Sequence, residues 1–354
     1  TDTLSKKQQK ISYTHRISKD FIQYKSKIIL ESEIYNQIYN TEKKLIHGNQ
    51  YHTGSYYRFF PIFGISMETP FKFKNNLYNF TYKPKTQIIL ASGSSNSNKI
   101  SNEDSSINNF SISNLSSLNR YSGSDKLDNS KRINYGFNIY NEKFLLNLSQ
   151  VYEFTNNSNF HIEQGNKEKL SDLLGSVEYN EIDKNENFQY NYFEKISYNF
   201  RYDVNKEYLK EQNFKVKYPT FIGNLELSYL DQNSKINDSV QKDTETLNYN
   251  FHSKKIGSFS KLNFSGLYNL KKEINTEYNI GYNYFDECFG INIDFTRKSY
   301  KEDNLKPQDI LTLMFSFKNI GSYKSTNLAV SETDKQDIEW ESGDINNEIF
   351  AENN

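Results

Sequence analysis

Alanine is nearly missing from this chain: only Ala91, Ala329 and Ala351 occur in 354 residues. Methionine is down to two residues, while Tyr, Phe, Ile and Thr abound. A chain short of strong helix formers and rich in aromatic and β-branched residues favours strands. No run approaches the roughly 18 apolar residues of a membrane helix, which excludes helical spans but not barrel strands. A lone cysteine, Cys288, excludes an internal disulfide. The five histidines are scattered, and none makes a metal-ligand spacing with Cys288. There is no G-x-S-x-G, P-loop or H-E-x-x-H, so no catalytic set emerges and no enzyme or cofactor is expected. A net charge of -1 gives no reason to expect nucleic acid.

What is present is alternation. Tyr278, Ile280, Tyr282 and Tyr284 share one parity; Phe289, Ile291, Ile293 and Phe295 follow, then Leu311, Leu313, Phe315 and Phe317. Successive strand side chains point to opposite faces, so each run is a strand with one greasy and one polar face. The same period runs through Tyr190–Tyr202, Leu225–Tyr229 and Leu262–Leu270. About fifteen strands are expected between Lys10 and Ile320, beginning Lys10–Ser18, Phe21–Tyr35, Gly54–Thr69 and Leu77–Ala91. The longest loop expected is Ser92–Lys131, dominated by Ser and Asn.

A hydrophobic fraction of 35% and a mean hydropathy of -0.84 are low for a soluble globule. Aromatics at 16% nevertheless argue against a disordered chain. Two architectures fit: a soluble β-sandwich with its greasy face inside, or a membrane barrel with it outside. Long strands, very short turns such as Asp286–Glu287, and aromatics at strand ends (Tyr57, Phe59, Phe60; Tyr300) favour the barrel. The fold expected is therefore all-β, a large antiparallel transmembrane barrel over residues 1–323, with an acidic disordered tail over 324–354. Ser325–Asn354 holds eight acidic residues and one Lys. The opening TDTLSKKQQK has neither Met nor an apolar leader, from which a processed chain or a fragment is expected.

Several separated stretches carry a resemblance. One is the turn Tyr284-Phe285-Asp286-Glu287-Cys288-Phe289-Gly290. A second is Phe295-Thr296-Arg297-Lys298-Ser299-Tyr300 followed by Asn304-Leu305-Lys306-Pro307; a third is Phe317-Lys318-Asn319-Ile320-Gly321. Upstream lie Arg58-Phe59-Phe60-Pro61, Thr69-Pro70-Phe71, Asn102-Glu103-Asp104-Ser105, Asn119-Arg120-Tyr121-Ser122-Gly123-Ser124-Asp125 and Arg132-Ile133-Asn134-Tyr135-Gly136. In this order, over roughly Tyr57 to Tyr323, the chain resembles the C-terminal barrel region of the LPS-assembly outer-membrane protein (LptD, OstA) family.

The resemblance implies the barrel of a lipopolysaccharide translocon in the outer membrane, with no covalent chemistry of its own. It implies lipopolysaccharide as cargo, contact with outer-membrane lipids, a lipoprotein that plugs the lumen, and a periplasmic bridge protein reached through an N-terminal jellyroll. That jellyroll is not in this sequence, and about fifteen strands are fewer than the family's complete barrel. The resemblance makes the strand Leu311, Thr312, Leu313, Phe315, Ser316, Phe317 a lateral-gate strand. It makes Cys288 one end of an interdomain disulfide, although the family's best-known members carry a cysteine pair at this turn. Asn102, Glu103, Asp104, Arg120 and Asp125 are expected in a loop folded into the lumen or against the partner; their spacing matches no calcium loop. Pro61 and Pro70 read as strand-end punctuation. The competing functions are a diffusion porin, which shares every barrel feature, and a soluble β-rich adhesion protein.

Overall fold

The computed structural model describes residues 5–47, 50–75, 79–93, 96–106, 111–155, 169–181, 193–236, 239–299, 308–318, 320–325, 328–329 and 340–342. Those residues form strands and loops and no helix. The first strands are β1 (Lys7–Gln23), β2 (Ser26–His47), β3 (Gln50–Glu68), β4 (Phe71–Lys74), β5 (Asn79–Ala91), β6 (Lys131–Tyr140) and β7 (Phe144–Glu153). Then come β8 (Leu173–Asn180), β9 (Lys195–Asp203), β10 (Tyr208–Pro219), β11 (Gly223–Ile236) and β12 (Ser239–Ser253). The last are β13 (Ser260–Asn269), β14 (Ile274–Phe285), β15 (Phe289–Lys298), β16 (Gln308–Phe317), β17 (Gly321–Ser325), β18 (Leu328–Ala329) and β19 (Trp340–Ser342). The chain is all-β and antiparallel, as the alternation predicts. It forms two compact units: Thr1–Glu178, Asn199–Glu211 and Asn233–Gln241 make the first; Tyr179–Tyr198, Gln212–Gln232 and Lys242–Asn354 the second.

In the first unit, register carries one face across neighbouring strands. Ile11 lies opposite Ile38, which lies opposite Tyr57; Phe21 lies opposite Ile28, which lies opposite Met67. Between these two rows, every second residue of β1, β2 and β3 points the same way. This outward face carries Tyr13, Ile17, Leu30, Ile34, Phe59, Phe63 and Ile65, and continues into Ile88 and Leu90 of β5. Most of these side chains are exposed, Ile17 by 63% and Leu90 by 50%. A row-to-row band of about eleven residues, at about 3.4 Å each and tilted by about 45°, stands about 25 Å tall. That is the height of the lipid-facing band of an outer-membrane barrel.

The second unit repeats the pattern. Phe251 faces Phe264, which faces Ile280, Phe295 and Leu311 in turn. The neighbouring row runs Leu262, Tyr282, Ile293, Leu313. Asn263, Gly281, Asp294 and Thr312 occupy the opposite face.

The sequence places the first turn near Asp20, but β1 continues through it. The chain reverses instead at Tyr24 and Lys25, both with positive φ (49° and 64°). A two-residue turn with both φ values positive usually takes Asn or Gly, so Tyr-Lys gives no warning in the sequence. β2 also runs on from Tyr35 to His47 through a polar stretch that reads as loop. Its inward side chains Gln37, Tyr39 and Thr41 are buried, which explains why a strand tolerates them.

Near the C-terminus β16 does not end the ladder. Met314–Phe317 pairs with β17, and Ile310 and Leu311 pair with β18. Within 324–354 the described residues belong to β17, β18 and β19; the rest of that acidic segment lies outside the described residues, as do Tyr300 and Asn304–Pro307. Pro61 sits inside β3, one residue beyond the last pair with β5, Ile62 and Ala91. Pro70 falls between β3 and β4.

Candidate functional site

The inward face of the first unit is covered by the β5–β6 loop, which begins at Ser92 and ends at Ser130. Its apolar residues Leu118 and Leu127 pack on Tyr35, Phe60, Ile62, Ile89 and Ala91, all buried. This contact accounts for the run Phe59-Phe60-Pro61-Ile62-Phe63, in which apolar residues do not alternate. Odd positions form the outward apolar face and even positions face the loop, and a strand with an apolar side chain on both faces reads as continuous. A second cluster joins Leu115 of the loop to Val151 and Leu174.

Three knots of polar contacts fix the loop. In the first, the Arg58 guanidinium donates to Gln37 Oε1 (2.8 Å from Nε), to the Tyr39 hydroxyl (3.0 Å), and to the carbonyls of Ser124 (2.5 Å) and Asp125 (2.8 Å). Arg58 is 2% exposed, and its donors are spent on acceptors from β2 and the loop. In the second, the Lys10 ammonium of β1 donates to Asp104 Oδ2 (2.6 Å), Ser124 Oγ (2.7 Å) and Asp125 Oδ1 (2.8 Å). Asp104 and Asp125 cap each other's backbone: Asp104 Oδ1 accepts from Asp125 N (2.8 Å), and Asp125 Oδ2 from Asp104 N (3.1 Å). Burial raises the Asp104 pKa, but hydrogen bonds from Lys10, Ser105 and two backbone N–H groups outweigh it and hold the carboxyl well below the usual range.

The third knot is fully buried. Arg120 donates to both oxygens of Asp128 (2.5 and 3.2 Å) and to Glu153 Oε2 (3.0 Å). Arg132 donates to the same Asp128 (2.8 Å) and to the carbonyls of Ser117 and Leu118. Burial pushes the Asp128 pKa up, yet the two guanidiniums prevail and keep it below the ordinary carboxylate value. Gly123, with φ of 76°, closes the turn between the first two knots; a Cβ there would lie 2.2 Å from the Asp104 carbonyl oxygen.

The five loop residues singled out from sequence thus fall into this assembly. Glu103 and Asp104 donate backbone N–H to Asp125, Asn102 bridges to Ser105, and Arg120 anchors the buried knot. Lys10, Gln37, Tyr39, Asp128 and Glu153 escaped sequence reading, while Arg58 stood out only within a stretch that carries the family resemblance, without a role assigned to it. The gate-strand residues and Cys288 lie elsewhere, in the second unit. Cys288 is exposed in the β14–β15 turn, where Asp286 Oδ1 accepts from Cys288 N (2.9 Å) and Phe289 N (2.7 Å).

A polar cleft of about 570 Å³ remains between β1, β2 and the loop, lined by Arg16, Glu31, Glu33, Tyr35, Asn119 and Tyr121. Arg16 Nε lies 3.0 Å from Glu33, and the Tyr35 hydroxyl donates to the same carboxylate (2.5 Å). Hydroxyls, amide, carboxylates and two aromatic rings suit a polyhydroxylated ligand. A further buried cluster joins Lys210 to Asp172 (2.9 Å) and Asp203 (2.8 Å). There burial prevails over the nearby cations and raises the Asp172 pKa to about 6. Among the described residues no group of three or more His, Cys, Asp and Glu could hold a metal.

The family model LptD, described as LPS transport system D, matches residues 4–274. No curated protein matches the chain. Among solved structures, the crystal structure of the siderophore receptor PirA from Acinetobacter baumannii is similar at 9% identity with a TM-score of 0.48, over 90% of this chain. The chain spans 57% of that receptor's length.

Proposed function

The chain belongs to the LptD family, LPS transport system D, an outer-membrane family of transport components, and from that premise we propose that it is the barrel part of the lipopolysaccharide translocon. The carrying observation is the division of faces in the first unit. An apolar band of barrel height faces outward, while the inward face holds a folded loop, packed through apolar and charged side chains, beside a polar cleft suited to sugars. Acyl chains would keep to the outer side and the saccharide to the inner, so guidance needs no covalent step.

The lateral gate would lie at β16, whose far edge pairs, among the described residues, with the short strands β17 and β18. Few ladder hydrogen bonds make a pairing easy to open. The lumen-plugging lipoprotein, the bridge protein and the disulfide of Cys288 belong to the same reading. A diffusion porin needs an open polar face; the loop occupying that face from β1 to β7 favours the translocon.

Depleting the full-length protein tests the reading. Lipopolysaccharide should then accumulate inside the outer membrane; unchanged surface lipopolysaccharide would refute it. Photo-crosslinkers at Thr312 or Ser316 should capture lipopolysaccharide during export, and capture only at sites away from β16 would move the gate elsewhere.

A further inference from the structure

On the outward face of β1, β2, β3 and β5 a dent and a charge adjoin. The dent follows from a cross-strand row, Ile17, Ser32, Phe63 and Leu90. A serine between isoleucine and phenylalanine leaves the space of the missing side chain. The next row, Lys19, Leu30, Ile65 and Ile88, forms the wall. Together they enclose an apolar groove of about 400 Å³.

Lys19 is the one Lys, Arg, Asp or Glu on the outward face of the band in β1, β2, β3 and the paired part of β5, and the one cation that lines the groove; on β6, Lys131 faces outward beyond Leu90. Its cross-strand partner is Leu30, and no ion pair of Lys19 occurs among the described residues. A cation on a lipid-facing strand is costly near the midplane and tolerable near an interface, where a long stem can reach the headgroups. Lys19 is one outward position from Phe21, the row that ends the band, so its ammonium can reach that boundary.

We propose that this groove is a binding site for one anionic glycerophospholipid, an acyl chain lying over Ser32 and the phosphate paired with Lys19. One groove with a single cation in its lining matches a lipid with a single phosphate better than a glycolipid with many chains. The site rests on the outward face being lipid-facing, as the translocon reading holds, but it is distinct from the cargo route on the inward face.

The test uses the full-length protein in nanodiscs of phosphatidylcholine doped with phosphatidylglycerol, followed by native mass spectrometry of retained lipid. One phosphatidylglycerol should stay bound to the wild type and be lost from Ser32→Phe, which fills the dent. Lys19→Met, which suits a lipid-facing strand, should reduce the preference for phosphatidylglycerol about fivefold, the worth of one lysine near an anionic headgroup. Equal retention by wild type and both variants would overturn the site. Preferential retention of added lipopolysaccharide would overturn the choice of lipid. A nitroxide on Ile65→Cys, in a background with every other cysteine replaced by serine, separates the two readings: it should be accessible to oxygen and shielded from a water-soluble nickel chelate. Exposure to the chelate would refute the lipid-facing assignment itself, whereas shielding with unchanged lipid retention would refute the groove alone.

Discussion

The two units share one strand grammar and differ in what lies against their polar faces. In the first, a loop from Ser92 to Ser130 brings leucines and paired charges onto the strands. Every buried hydrophobic residue described, from Tyr35 to Leu174, belongs to this unit. In the second unit, Asn263, Gly281, Asp294 and Thr312 line the polar face, and Ser197 and Ser316 are its buried polar residues among those described. The difference teaches that alternation builds the wall, whereas the interior core of this protein is made by an insertion. A wall whose apolar side faces lipid gains little from burying its own residues in a core, so the loop supplies the packing that orders the inward face.

If that contrast is right, breaking the buried knot should have the largest effect. Arg120→Ala leaves Asp128 and Glu153 without one of their cations inside the protein, a change that typically costs about 3–5 kcal/mol. The unfolding midpoint in urea, followed by heat-modifiable gel mobility, should fall sharply; a near-native midpoint would mean the loop is not a core. Next, Phe60→Ala should cost about 3–5 kcal/mol by opening a cavity under Leu118 and Leu127. Leu313→Ala, on the outward face of the second unit, should cost less than Phe60→Ala in the same assay. Equal losses would erase the distinction between units.

Gly123→Ala comes third. Its φ of 76° and the 2.2 Å approach to the Asp104 carbonyl should cost on the order of 1–3 kcal/mol. Protease cleavage within the loop should accelerate while the strands stay intact; cleavage at the wild-type rate would show that this turn is not strained by a side chain.

The smallest effect concerns pH. Asp172 has a folded pKa raised to about 6, above an unfolded value near 4. Between these values the folded state binds more protons, so this group's contribution to stability falls as pH rises through the window. Asp104 and Asp128 shift the other way; their stabilisation is present above the unfolded value and lost only as pH drops below it. From pH 7 to pH 5, therefore, the midpoint should rise slightly through Asp172. Asp172→Asn should flatten that rise, and an unchanged slope would assign it to another group.

Much of the wall was legible from residues alone. Tyr278–Tyr284 and Phe289–Phe295 alternate because one side meets lipid and the other does not, and they pair in the register their parity requires. The Asn102–Ser105 and Asn119–Asp125 stretches stood out by resemblance, and both prove to be parts of one hydrogen-bonded loop. The Tyr24–Lys25 reversal was not legible, because neither residue carries the usual chemistry of a turn with positive φ. Nor was the strand from Tyr35 to His47, whose Gln37, Tyr39 and Thr41 look like loop residues until a loop supplies their partners.

Sequence by itself determined that this protein is a wall of antiparallel strands with one apolar side, because a period of two is a local property of the chain. Tertiary structure alone decided that Lys10, Arg58 and Arg132 from three different strands meet Asp104, Asp125 and Asp128 from one loop. Such pairing depends on contacts across tens of residues, and a buried charge shows its reason only when its counter-charge is in place.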